Sequence, residues 1–187
     1  MRLGIMASLL LALMPWERAL AHPHVFIHWH VEPQIEKGAI AAIKLRWRFD
    51  DLYSDLVLST VDRDRDRKLS QPEIEALAAR TVANLEKVKF YATFTLDGAA
   101  WQAEKADHFT AAVEGDFVVY TFTLKLLAPA KTLSVWSLDS EYYIEMRADE
   151  KQPLSGTGFS CTAGPGQPVK TQMWGSLTPD TISCSAQ

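Results

Sequence analysis

The sequence predicts a mainly β fold, an antiparallel sandwich-like domain into which one EF-hand-like helix-loop-helix is inserted. Two observations predict the sheets: apolar and polar residues alternate over several segments, and those segments are rich in aromatic and β-branched residues. A third predicts the insertion, because between about residues 49 and 88 the apolar spacing changes from two residues to three or four. With 187 residues, 48% hydrophobic and 22% charged, the chain is expected to form one globular domain.

The first 21 residues are typical of a signal peptide. Arg2 precedes an apolar run over residues 4–14, which is too short for the roughly 20 residues that span a bilayer. Residues 19–21 form an A-x-A cleavage motif. A buried N-terminal helix is the alternative. Cleavage after this motif predicts a periplasmic mature domain of residues 22–187 that begins at His22 and contains no membrane span.

Two strands follow the predicted cleavage site, with a turn at Gly38 between them. The first covers residues 24–31, and its apolar face carries Val25, Ile27, Trp29 and Val31. Its opposite face carries His24, Phe26, His28 and His30. The second covers residues 39–49, and its apolar face carries Ala41, Ile43, Leu45, Trp47 and Phe49.

The predicted insertion contains a polar loop between two segments of helical spacing, and the loop matches a calcium-binding EF-hand loop. The oxygen ligands expected from the twelve-residue pattern are Asp62, Asp64, Asp66, the carbonyl of Lys68, Ser70 and Glu73. Arg67 stands where the pattern has glycine with a positive φ, which weakens the predicted site without forbidding it. The alternative is a metal-free loop whose carboxylates pair with its own cations, namely Arg63, Arg65, Arg67 and Lys68.

β patterning returns after residue 88. The segment KFYATFTL, the hairpin signal Asp97-Gly98 and the segment AAWQAE predict two strands, and DFVVYTFTLKL, TLSVWSL and EYYIEMRA predict three more. From Gly156 onward we expect short strands and loops. Cys161 and Cys184 are expected to form a disulfide that fixes this C-terminal part to the domain, the alternative being a thiol metal site.

Four of the five histidines lie between His22 and His30. A mature terminus of His-Pro-His can chelate a metal through its α-amine and imidazole, whereas Pro23 has no amide proton for a square-planar X-X-His site. The candidate ligands are His22, His24, His28 and His30. Strand geometry places the Cα atoms of His28 and His30 about 7 Å apart and His24 about 13 Å from His28, so one site and two overlapping part-sites are both compatible with the sequence.

Nitrogen ligands suit zinc, nickel, cobalt or copper and do not by themselves select among them. The alternative for these histidines is an ordinary solvent-facing strand whose side chains titrate near pH 6.5.

The motifs HPHVFI, RFDDLYS, the Asp-rich loop and LDSEYY together resemble an uncharacterised bacterial periplasmic family that is labelled as the periplasmic component of an ABC-type transport system. The resemblance covers roughly residues 22–148. It implies handling of divalent metals, because members are often encoded beside nickel/cobalt-type permeases. It also implies Asp50, Asp51 and Asp139 as polar partners of the histidines, although helix caps and turns are the other roles for such residues. His28 stands where the family has Asp.

These features predict a periplasmic transition-metal-binding protein that acts as an accessory or metallochaperone to a membrane metal permease. One alternative is a non-catalytic protein-interaction module with structural calcium, and another is an enzyme that holds copper at the histidine terminus. Apart from His108 no distant histidine is available, and no Ser-His-Asp set or catalytic carboxylate pair is evident, so a non-enzyme is expected. A net charge of −4 argues against a nucleic-acid partner.

Overall fold

The computed structural model describes residues 23–149 and 155–187, so the predicted signal peptide and His22 lie outside the described residues. Two helices, α1 (Asp51–Val61) and α2 (Gln71–Lys87), are followed by a short turn at Lys89–Tyr91 whose three residues have positive φ. The strands of the described residues are β1 (Val25–Glu36), β2 (Ala39–Phe49), β3 (Ala92–Leu96), β4 (Ala99–Trp101), β5 (Asp107–Glu114), β6 (Phe117–Ala130), β7 (Thr132–Ser137), β8 (Ile144–Ala148), β9 (Ser155–Gly156), β10 (Phe159–Pro165), β11 (Val169–Thr171), β12 (Gly175–Leu177) and β13 (Asp180–Ala186). The predicted β-rich fold with an inserted helix pair is confirmed.

The strands form a five-stranded sheet in the order β5-β6-β2-β1-β8 and a six-stranded sheet in the order β4-β3-β7-β13-β10-β9, and β11 and β12 form a separate hairpin. The pairings are antiparallel except that β8 runs parallel to β1, with Val25 opposite Ile144. This one parallel pairing departs from the predicted antiparallel arrangement. It brings the segment after residue 139 beside the start of β1, where the histidines lie.

The inward faces of both sheets contribute to one buried core. Val25, Ile27, Trp29 and Val31 are buried, as their alternation predicts. In β2 a register shift between Ile40 and Ala42 places Ile40 rather than Ala41 in the core, and regular alternation follows from Ile43. The rings of Trp47 and Phe122 are nearly perpendicular, with 5.1 Å between their centroids, a favourable aromatic geometry.

Two strand predictions are corrected by the structure. Strand β5, which was not predicted from the sequence, is an edge strand in which Phe109, Ala111 and Val113 alternate toward the core, but only Ala111 is buried, so this short apolar pattern is weaker than those of the central strands. Strand β8 begins at Ile144 rather than at Glu141, because the Asp139 carboxylate accepts hydrogen bonds from the N–H groups of Tyr143 and Ile144 and holds the preceding residues in a turn.

The predicted disulfide between Cys161 and Cys184 is confirmed. The two residues face each other across the antiparallel pair β10 and β13, with their Cα atoms 4.0 Å apart. Neither described helix is long and apolar enough to cross a membrane.

Helix α1 packs against the sheet through Ser54, Val57, Leu58 and Val61, whereas Leu52 and Leu56, which share the helical spacing, are exposed. Asp50 begins the helix by accepting a hydrogen bond from the Tyr53 N–H. Helix α2 begins with a capping box formed by Ser70 and Glu73. The polar loop begins at Asp62, whose N–H donates to the Leu58 carbonyl at 2.9 Å, and ends at this capping box, so local hydrogen bonds fix it at both sides.

The buried Ser54 hydroxyl joins α1 to β6, and we expect Ser54→Ala to lower the free energy of unfolding by about 1–3 kcal/mol. Its Oγ donates to the Asp50 carbonyl at 2.6 Å and accepts from the Val118 N–H at 2.8 Å, so alanine would leave a buried N–H unpaired. Urea denaturation of the two proteins measures the difference. Ser59→Ala is the matched control, because Ser59 is an exposed residue of the same helix that also donates to a helix carbonyl. Equal losses in the two variants would contradict the assigned role.

Candidate functional site

The acidic loop brings together three of its predicted ligands. One carboxylate oxygen from each of Asp62, Asp64 and Asp66 lies within 4.8 Å of the others. Asp64 and Asp66 are exposed, and Asp62 is half-buried at the end of α1. The Oδ1 atom of Asp62 is buried and accepts no hydrogen bond. Since a buried carboxylate oxygen without a partner is unfavourable, a cation at this position would compensate it.

Glu73 lies beside this cluster rather than in it. Its carboxylate accepts hydrogen bonds from the Arg63 N–H at 2.7 Å, the Ser70 N–H at 2.9 Å and the Ser70 hydroxyl at 2.7 Å. The bond from Arg63, followed by those from Ser70, holds the pKa of Glu73 below its ordinary value. The ionised carboxylate therefore stabilises the fold above the ordinary glutamate pKa, and this contribution is lost as the pH falls through the lowered pKa.

The position of Arg67 agrees with an EF-hand-like loop and disfavours the salt-bridged alternative. Its φ is 57°, the left-handed conformation for which the pattern has glycine. Its guanidinium points away from the loop carboxylates to Asp55 of α1, at 3.1 Å, and to Asp116 of the turn between β5 and β6, at 3.8 Å. Within the described residues, the cations of the loop form no other ion pairs, so none of them pairs with a carboxylate of the loop.

The histidines of β1 are spread over different environments. His24 is exposed at the start of the strand, where its N–H donates to the Tyr143 carbonyl at 2.9 Å and its ring lies 4.9 Å from the Tyr143 ring. His28 is half-buried and borders one cleft, and His30 is buried and borders another. Within residues 23–149 and 155–187, the acidic loop is where three potential ligands converge within 4.8 Å, and no histidine belongs to that group.

His30 has an environment that strand alternation did not predict. It lies on the outward face of β1 but is only 7% exposed, and its Nδ1 atom is buried with no hydrogen bond. Burial lowers the pKa of the imidazole, although the nearby carboxylates of Asp149 and Glu32 act in the opposite direction. The neutral form of histidine is the one that binds metals. However, the His30 ring is buried, whereas the proposed metal position is at the exposed start of β1.

The aspartates that the resemblance associated with the histidines have local structural roles. Asp50 caps α1, and its second oxygen accepts a hydrogen bond from the Phe26 N–H at 2.7 Å. Asp139 is buried and accepts from the N–H groups of three residues of the following turn. Asp51 lies in the first turn of α1 and accepts from the neighbouring Leu52 N–H. Each therefore occupies the cap or turn role that aspartate favours.

A family described as "Protein of unknown function (DUF1007)" matches residues 7–180. The chain belongs to this family. It is also similar to an uncharacterised protein of Haemophilus influenzae, with 25% identity over 157 residues that cover 82% of this chain and 75% of that protein. No solved structure matches the chain significantly.

A feature that the sequence reasoning did not find is an open cleft of about 690 Å³ at the edge of the five-stranded sheet. His28, Arg48 and Arg147 border it, and they come from three different strands. The cleft depends on the parallel pairing of β8 with β1. Because residues 28 and 147 are far apart in the sequence, no local pattern indicates that they are neighbours.

Proposed function

We propose that this member of the family is a periplasmic metal-binding protein that serves as an accessory or metallochaperone to a membrane metal transporter. A transition metal would bind at the histidine terminus, and calcium would bind in the acidic loop and stiffen the helical insertion. The disulfide is compatible with an oxidising compartment. The transporter partner is suggested by the sequence resemblance.

The position of His24 is the observation that carries the proposal. Its side chain is exposed, and its backbone is fixed by the hydrogen bond to Tyr143. His22 is two residues earlier, so their Cα atoms are at most about 7 Å apart by chain geometry. After cleavage at the predicted site, the α-amine and imidazole of one residue and the imidazole of the other could bind one ion. His28 and His30 belong to separate clefts and contribute less on this arrangement.

Titration of the processed protein with zinc, nickel and copper tests the proposal. Adding one alanine before His22, or replacing His24 with alanine, should weaken binding by at least about tenfold, because each change removes or displaces a ligand. The double variant His28→Ala/His30→Ala should retain most of the affinity. His108→Asn is the control, since His108 is exposed with a φ of 52° that asparagine tolerates.

The alternatives give different results. Equally weak binding by the processed, extended and substituted proteins would reject the terminal site and favour a protein-interaction module. Tight copper binding with turnover of peroxide in the presence of a reductant would favour an enzyme. In cells, deletion of the protein should change the metal content, and the native sequence but not the alanine-extended form should restore it.

A further inference from the structure

The cleft at the sheet edge contains a row of nitrogen-bearing side chains. His28 of β1 lies directly opposite Arg48 of β2 and is also in register with Arg147 of β8. Residues paired in this way point to the same face of a sheet, so the three side chains form a row across three adjacent strands. The cleft volume of about 690 Å³ falls in the range of small-molecule sites and exceeds what a single inorganic ion fills.

Arg48 differs from Lys44 and Arg46 on the same face of its own strand and from Arg147 of β8. Lys44 pairs with Glu32 at 2.6 Å, Arg46 pairs with Glu114 at 2.5 Å, and Arg147 pairs with Glu145. In the part of the chain that the structure describes, no carboxylate lies within 4.0 Å of the Arg48 guanidinium. Its guanidinium carbon lies 4.8 Å from the centroid of the Phe117 ring, a contact that leaves the hydrogen-bonding edge of the group available.

The acidic residues of the cleft have other partners. Glu145 accepts hydrogen bonds from Arg147 and from the Tyr142 hydroxyl, the latter at 3.4 Å. Asp180 accepts from the Ala148 N–H at 2.9 Å. Asp149 is buried and acts electrostatically on His30. The carboxylates are thus used within the protein, and Arg48 retains positive charge for a ligand.

We propose that this cleft binds a small organic anion, whose carboxylate or phosphate group pairs with Arg48 and is assisted by Arg147. A planar guanidinium recognises such oxyanions through two parallel hydrogen bonds. Thr178 also lines this cleft and is exposed, so its hydroxyl can offer a further hydrogen bond to the organic part. The site is distinct from both the histidine terminus and the acidic loop.

Calorimetric titration of the chelator-treated, metal-free processed protein with citrate tests the inference, with inorganic phosphate as the second probe. Citrate should bind with a dissociation constant of about 1 mM or lower. It should bind more tightly than phosphate, because it occupies more of the cleft. Arg48→Gln should weaken citrate binding by about tenfold to a hundredfold, the loss expected for charge-assisted hydrogen bonds. Arg48→Lys should give an intermediate loss, since it keeps the charge but not the paired donors.

Arg46→Gln is the matched control, because Arg46 lies two residues away on the same strand and face but is paired with Glu114. It should leave citrate affinity within about twofold, and circular dichroism should show that all variants are folded. Absence of citrate binding up to about 10 mM, or equal losses in the Arg46 and Arg48 variants, would overturn the inference. If phosphate bound as tightly as citrate, the inference that the ligand is an organic anion would be wrong. Since no metal is present, these results do not depend on the proposed histidine site.

Discussion

Calcium at about 10 mM is expected to raise the melting temperature of the processed protein by roughly 3–10 °C. An extracellular-type site with a dissociation constant of about 10⁻⁴–10⁻³ M would add about 1.4–2.7 kcal/mol at that concentration. In a domain of this size each kcal/mol corresponds to roughly 2–4 °C. The expectation rests on the convergence of three aspartates and on the buried Asp62 Oδ1, which would gain a partner. Differential scanning fluorimetry with calcium, magnesium and chelator measures it.

Asp64→Asn separates calcium binding from loop folding. Asparagine keeps the oxygen that accepts the Asp66 N–H, so the loop should fold while losing one ligand charge. The increase in melting temperature caused by calcium should be less than half as large in this variant as in the unsubstituted protein. Glu73→Gln should also reduce it, but Glu73 holds the cap of α2, so this variant should be less stable without calcium as well. Glu104→Gln removes an exposed charge outside the loop and should leave the calcium effect unchanged.

A melting temperature that does not respond to calcium at millimolar concentrations would contradict the predicted site. The loop would then be held without a metal ion by hydrogen bonds from its backbone N–H groups to its own carboxylates. Those run from the Arg67 N–H to Asp62 and from the Lys68 N–H to Asp66.

The disulfide is expected to contribute about 3 kcal/mol to the free energy of unfolding, because it joins two residues that are 23 positions apart in the sequence and so restricts the unfolded chain. The double variant Cys161→Ser/Cys184→Ser should therefore melt roughly 6–12 °C lower. Both positions are buried, so the serine hydroxyls add to the loss. Chemical denaturation of the oxidised protein, the reduced protein and the double variant measures the contribution.

The control for this experiment is Ser160→Ala/Ser185→Ala. Ser160 and Ser185 form the neighbouring pair on the same two strands and are exposed, so their replacement should change stability by about 0.5 kcal/mol or less. If the cysteine variant lost no more stability than this control, the bridge would have no stabilising role in the domain.

Local patterns in the sequence were sufficient to predict the strands and helices that bury one face in the core. The alternation in β1 predicted which side chains enter the core, and the spacing from Asp62 to Glu73 predicted a loop between two helices. Edge strand β5 was missed because its apolar alternation spans only Phe109, Ala111 and Val113, of which one is a small residue and two are only half-buried. The turn before β8 was read as strand because its aromatic residues favour strands, whereas the Asp139 carboxylate fixes the turn.

The candidate sites divide in the same way. The sequence by itself was enough to predict the histidine terminus, the acidic loop and the cysteine pair, because the residues of the first two sets each lie in one segment and the chain has only two cysteines to pair. Only the tertiary structure decided that His30 is buried, that Asp50 caps α1 while Asp139 fixes the turn before β8, and that Arg48 and Arg147 flank His28. These facts depend on strand order and on the parallel pairing of β8 with β1. Such long-range contacts are set by how the whole chain packs around its core, which no local pattern records.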